Sequence, residues 1–183
     1  DFKIDHTAQD DLKTDVGRFA QWGETGVLAL LSDSTNVEKE GYTISAKQIG
    51  DSLARLAENC SGRIIVALFA SNITRIQKVV NIAVGLGRKV VFNGRSIELS
   101  VRIAKELGFL KIPTDMEVEI DAIDDLLDNE IVMIMTGSQG EPMSALARMA
   151  AGTHKQITIK PEDTILLSSK FIPGNEKAIT NII

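Results

Sequence analysis

The sequence holds one cysteine, Cys60, among 183 residues. A single thiol can form no internal disulfide and supply no Cys-based zinc site. Histidine is almost as scarce, with only His6 and His154, so a Ser-His-Asp triad could arise only by coincidence. The lone Trp22 and Tyr42 offer no stacking array in a chain that is 4% aromatic. Cationic excess is missing too, since 20 Lys+Arg face 25 Asp+Glu for a net charge of −5. That balance argues against a non-specific coat on nucleic acid and leaves room for a local basic groove. The longest apolar runs, residues 64–70 and 131–135, are far too short to span a membrane. No membrane partner is expected, and a reducing cytoplasm suits the lone thiol.

Phosphate-loop motifs are also wanting. No G-x-G-x-x-G follows an apolar run, and Gly85-Leu-Gly87 closes a helical pattern instead of opening one. There is no Walker A loop. Ser138 sits in Gly-Ser-Gln-Gly, which is not a nucleophile elbow.

What is present is an ordinary globular composition, 44% hydrophobic and 25% charged, long enough for one domain or slightly more. Short β-branched runs alternate with helical patterns. Residues 27–31, 63–69, 89–92, 131–135 and 164–167 read as strands. Ser45 and Gln48 form a capping-box signature before a helix with Ile49, Leu53, Leu56 and Ala57 on one face. Further helices are expected with inner faces Ile73, Ile76, Val80, Ala83 and then Leu99, Ile103, Leu107. A short acidic helix at 121–127, one starting at Pro142 and one near Asn175 complete the pattern. This alternation predicts an α/β fold, a mostly parallel, doubly wound, Rossmann-like sheet flanked by helices. Residues 1–26 read as a connection or the edge of something else, and residues 27–183 as the sheet domain. The chain opens on Asp1-Phe-Lys-Ile-Asp-His-Thr and stops inside a helical pattern, so a segment of a longer protein is expected.

In such a sheet, ligands sit beyond the carboxyl ends of the strands. Five polar turns are expected on that rim: residues 32–36, 70–72, 93–96, 136–141 and 168–170. Small hydroxyls, amides and glycines at helix starts suit anionic oxygens, and Arg75 and Arg95 add charge. The same residue types also serve as plain helix caps. Asp33 ends an apolar run, where its carboxylate either caps a turn or does chemistry. Asp1, Asp5 and His6 make a thin metal-ligand cluster. His154 reads as a helix C-terminal histidine and Cys60 as a small buried hydrophobe.

Several of these strings occur together in one known family. Asp1-Phe-Lys-Ile-Asp-His-Thr, Ser32-Asp-Ser-Thr-Asn36, Phe69-Ala-Ser-Asn72, Gly94-Arg-Ser96, the run from Thr136 to Leu146, and Ile172-Pro-Gly-Asn-Glu176 appear in family order. The chain thus resembles the ribonuclease J family, of the β-CASP branch of the metallo-β-lactamase superfamily. The resemblance implies a β-CASP domain inserted in a lactamase-type domain. It implies hydrolysis of RNA phosphodiesters with two divalent metal ions, usually zinc, from the 5′ end and sometimes internally. Such enzymes act in mRNA decay and rRNA maturation. Asp1 matches the aspartate that bridges the metals, and Asp33 matches the acidic residue that orients a later histidine. If RNA is the ligand, the rim turns are the expected contacts: Ser71, Asn72, Arg75, Gly94, Arg95, Ser96, Gly137, Ser138, Gln139, Gly140, Glu141 and Ser144. The implied partners are RNA, the rest of the lactamase-type domain, and further copies in a homodimer or homotetramer. The isolated segment is expected to be inactive, because one carboxylate cannot hold two metals. Thr74 stands where many members carry histidine, so that histidine's role has no carrier at position 74. Two other readings remain open: a non-catalytic Rossmann-like domain binding a nucleotide or phosphorylated ligand, and a DNA-directed member of the superfamily.

Overall fold

The structure, a computed structural model, describes residue 4 and residues 14–34, 37–38 and 40–183. The chain divides into two compact units, Asp1–Ser52 and Leu53–Ile183.

In the first unit, helix α1 spans Val16–Thr25 and buries none of its residues. The Asp15 carboxylate accepts a hydrogen bond from the Arg18 amide at 2.9 Å and so caps its start. Residues 27–31 are not a strand, contrary to the apolar pattern. Leu28, Leu30 and Leu31 are all largely exposed. An apolar run becomes a strand only when a neighbour takes its backbone hydrogen bonds, and among the described residues none does. Helix α2, Ala46–Glu58, crosses from one unit into the next. Its capping box forms as expected: the Gln48 amide donates to Ser45 Oγ and the Ser45 amide to Gln48 Oε1. Leu53 and Ala57 are buried, whereas Leu56 is half exposed.

The second unit is built on four parallel strands, β1 (Ile64–Ala67), β2 (Lys89–Asn93), β3 (Ile131–Met135) and β4 (Thr164–Leu167), in the order β2-β3-β1-β4. This bears out the expected parallel α/β sheet. Strands β1 and β3 lie inside it, and every residue of both is buried, which is why their sequences are continuous apolar runs. Side chains alternate across the sheet. Ile65, Ala67, Val91, Ile131, Met133 and Met135 share one cluster with Ile123 and with Ala145, Leu146 and Met149. The alternate residues face the other way, beneath helices α3 (Ile73–Gly85) and α4 (Arg95–Glu106).

The route from β2 to β3 explains why α3 and α4 share a face. After α4 the chain forms a parallel bridge between Glu117 and Val90, on the outer side of β2. A 3-10 helix, Ile120–Asp125, then crosses the opposite face to reach β3. Each crossover can therefore keep the usual right hand.

Three helix expectations need correction. The acidic helix is that 3-10 turn. Pro142 precedes helix α5, Ala145–Ala150, whose N-cap is Ser144. On α4 the buried residues are Ile97, Val101 and Ala104, and the predicted inner face of Leu99, Ile103 and Leu107 is exposed. Helix α6, Glu176–Thr180, follows Asn175 as expected.

The amino ends of the strands are tied by charge. Arg63 meets Asp163 through two bonds of 2.7 and 2.5 Å and also donates to the Thr158 carbonyl. The hydrogen bond to Asp163 raises the Arg63 pKa, outweighing burial. Arg88, also buried, donates to the carbonyls of Gly62 and Cys60. Cys60 itself is only half buried, its thiol donating to the Leu56 carbonyl.

Candidate functional site

The loop after β1 leads to α3 on one face, and the loop after the adjacent β3 leads to α5 on the other. Diverging loops on neighbouring parallel strands open a crevice at the carboxyl end of the sheet. Four of the expected turns meet on this rim, namely those after β1, β2, β3 and β4. Residues 27–31 form no strand, so the turn expected after them at 32–36 follows none, and Thr35 and Asn36 lie outside the described residues.

On the β1 side, Ser71 and Asn72 are exposed. Asn72 Oδ1 accepts from the Arg75 amide at 3.0 Å and caps α3. The Arg75 guanidinium is part-buried and donates to Ser168 Oγ at 2.7 Å, tying the start of α3 to the end of β4. Burial lowers its pKa, yet an arginine stays charged. On the β2 side, Gly94 begins α4, and its amide donates to Glu98 Oε1 at 2.9 Å. Arg95 and Ser96 are exposed at that helix start.

The β3 loop is different, since Gly137, Ser138, Gln139, Gly140 and Ser144 are all buried, and Glu141, Pro142 and Met143 are exposed. A side chain at Gly137 would meet Ser144 Oγ at 2.6 Å. Gly140 has φ +75° and packs on the backbone of Ala178, where a Cβ would come within 2.5 Å. The Gln139 amide is fully occupied. It donates to Ser169 Oγ and the Lys170 carbonyl and accepts from the Ile172 amide and Asn175 Nδ2. Ser138 Oγ, by contrast, is buried with no hydrogen-bond partner among the described residues. A buried hydroxyl left unpaired costs about 1–3 kcal/mol, so this atom stands out as one that a ligand could complete.

Sequence reasoning missed two supports. Thr136 Oγ1 accepts from the Ala145 amide, and Gly94 packs against the same side chain. His154 Nδ1 accepts from the Gln156 and Ile157 amides, so Nε2 carries the proton and donates to Asn93 Oδ1 at 3.0 Å. Burial, helped by the Arg148 charge, lowers the His154 pKa and keeps the ring neutral. No sequence signal joins residues 61 positions apart.

Asp1, Asp5 and His6 lie outside the described residues. Asp33 is described and exposed. Among the described residues no group of three or more His, Cys, Asp and Glu side chains could hold a metal. They therefore supply a polar rim and no metal centre. No helix is long and apolar enough to cross a membrane among the described residues.

Comparison with known proteins gives the same picture. The family model described as ribonuclease J, beta-CASP domain, matches residues 61–183. Over all 183 residues the chain is 44% identical to Ribonuclease J of Helicobacter pylori, 45% to Ribonuclease J of Mycobacterium tuberculosis and 46% to Ribonuclease J 1 of Streptococcus pyogenes. It spans 27%, 33% and 32% of those proteins, respectively. The parallel sheet, the polar rim and the match over its whole length together make this chain a member of the ribonuclease J β-CASP family.

Proposed function

We propose that this chain is the RNA-contacting part of a metal-dependent ribonuclease. In this reading residues 27–183 are the β-CASP domain and residues 1–26 the end of a lactamase-type domain. Two divalent ions, zinc in this reading, would supply Lewis-acid chemistry at the scissile phosphate when bound in the complete protein. Asp1 would be one of the residues that hold them, and Asp33 would orient a histidine of the complete centre. One carboxylate cannot hold two cations, so hydrolysis belongs to the complete protein. That protein works in the cytoplasm on mRNA and rRNA, from the 5′ end and sometimes internally, as a dimer or tetramer.

The observation that carries the proposal is the buried, unpartnered Ser138 Oγ in the β3 loop. Exposed Ser71, Asn72, Arg95, Ser96 and Glu141 provide hydroxyl, amide, cation and carboxylate in the loops of the same rim. Gly94 lets the β2 loop pack against the Thr136 side chain of the β3 loop. Arg75, Gln139 and Ser144 hold the loops, while Gly137 and Gly140 let them pack. The crevice at the switch point also suits a mononucleotide, which favours the second reading, a non-catalytic phosphate-ligand domain.

The test is single-strand RNA binding by the complete protein against salt, beside matched DNA and a free mononucleotide. RNA preference is expected. Arg95→Ala should flatten the log–log salt slope by about 0.7, and Ser138→Ala should weaken binding with that slope unchanged. Equal binding of DNA would point to a DNA-directed enzyme, and tight mononucleotide binding without chain preference to the second reading. Zinc-dependent nuclease activity from the 183-residue chain alone would sink the incomplete-centre reading.

A further inference from the structure

Aromatic rings are few in this chain, with six phenylalanines, one tryptophan and one tyrosine. Two of the phenylalanines stand on the carboxyl-end rim. Phe69 lies in the loop after β1 and is 37% exposed, and Phe171 lies in the loop after β4 and is 54% exposed. Met143, in the loop after β3, is 82% exposed. These loops leave three successive strands of the sheet, β3, β1 and β4. Neighbouring strands lie about 4.8 Å apart, so the three loops start within about 10 Å of one another. A single exposed apolar side chain needs no explanation, but one on each of three adjoining loops marks a contact surface.

The backbone beneath both rings is fixed. The buried Gln139 side chain accepts from the Ile172 amide at 2.9 Å and donates to the Lys170 carbonyl at 2.9 Å, so it clamps the chain on both sides of Phe171. Phe69 is bracketed in a similar way. The Leu68 amide donates to the Met135 carbonyl at 3.2 Å, and the Phe69 carbonyl accepts from the Asn72 amide at 3.0 Å. Arg75, at the start of α3, ties the two loops together through Ser168 Oγ at 2.7 Å. This framework holds the rings at the surface, where the core makes no use of them.

What surrounds the rings selects the occupant. Lys170, next to Phe171, is exposed and has no ion-pair partner among the described residues. Ser71 and Asn72, just after Phe69, are exposed too. The apolar face of a protein partner would strip these groups of water without replacing it. A single nucleic-acid strand satisfies both kinds of group, since its bases stack on rings while its phosphates and sugars meet cations, hydroxyls and amides.

We propose that Phe69 and Phe171, with Met143 beside them, form a stacking platform for the unpaired bases of RNA. This inference rests on the RNA reading and adds base contacts to it. Every base has a π-face, so the platform tolerates any sequence. Bases inside a duplex offer no free face, so it selects single strands.

The complete protein tests this, with a phosphorothioate oligoribonucleotide that resists cleavage and an abasic strand of the same length. The parent should bind the abasic strand about tenfold more weakly or worse. Phe69→Ala and Phe171→Ala should each weaken binding of the normal strand by about tenfold. The salt slope should stay as it was, because no phosphate contact is lost. Neither variant should alter binding of the abasic strand. Phe171→Trp should keep the affinity, and the emission of the new indole should fall as RNA binds, beyond any change from Trp22 in the parent. Circular dichroism and urea denaturation check that each variant is folded, as substitution at exposed positions should permit. Unchanged affinity in both alanine variants, equal weakening on the abasic strand, or no quenching at position 171 would each overturn the proposal and leave the RNA reading standing. A parent that binds no single-stranded RNA would overturn both. Cover of the rings by another part of the complete protein would show as alanine variants that lose stability but keep their RNA affinity, and this too would overturn the platform.

Discussion

The two ends of the parallel sheet are made of different chemistry. At the amino ends, full charges are locked away: Arg63 is held by Asp163 and Arg88 by two carbonyls. At the carboxyl ends, small neutral groups dominate, and one of them, Ser138 Oγ, is left without a partner. The amino end buries its charges with partners, and the carboxyl end leaves Arg95 and Glu141 exposed beside small polar groups. Net charge, the quantity that sequence composition reports most directly, therefore says little about where a ligand goes. At this sheet the buried arginines Arg63 and Arg88 are structural, while the carboxyl-end rim sets hydroxyls and amides beside the exposed Arg95 and Glu141.

Breaking the amino end should cost the most. Asp163→Ala leaves the Arg63 guanidinium buried without its carboxylate, and urea denaturation should register a loss of about 3–5 kcal/mol. Next comes the packing of the carboxyl end. Gly140→Ala forces a Cβ into the Ala178 backbone at a positive φ, and a loss of about 2–4 kcal/mol is expected in the same measurement. A milder effect belongs to the α3 cap: Asn72→Ala should cost about 1 kcal/mol and lower the melting temperature by a few degrees.

His154 separates the two ends by pH. Its folded pKa lies below the unfolded one, so its neutral form favours the folded state. That contribution is complete above the unfolded value of about 6.5 and is lost as pH falls through the lower folded value. Denaturation between pH 7 and 5 should show declining stability in the parent chain and a flatter profile in His154→Gln. Smallest of all is Ser138→Ala, which removes an unpaired hydroxyl and should leave stability unchanged or raised by up to about 1 kcal/mol. A clear loss there would mean that Ser138 is a structural residue like those at the amino end.

Sequence pattern revealed the sheet because strands buried on both faces leave continuous apolar runs, as in β1 and β3. The same logic failed at residues 27–31, since a run of apolar residues carries no record of whether a neighbour strand exists. It also failed on α4. Ile97, Val101 and Ala104 lie on one stripe and Leu99, Ile103 and Leu107 on another, and spacing alone cannot choose between them. At the rim, the α3 cap was legible because Asn72 acts within three residues of itself, whereas the Ser144 cap was hidden by a helix start read at Pro142. The long-range ties were not: Gln139 reaches Ser169 and His154 reaches Asn93 across 30 and 61 residues.

The four bonds of the Gln139 amide have a dynamic consequence. They fasten the Ile172 amide, in a stretch with no helix or strand, to the loop after the buried strand β3. Amide exchange at Ile172 should then be slow, and its rate should follow the opening of the sheet rather than the fluctuations of a surface loop. The loops after β3 and β4 would open as one cooperative unit, and a ligand arriving there meets a surface whose ordering entropy has already been spent in folding.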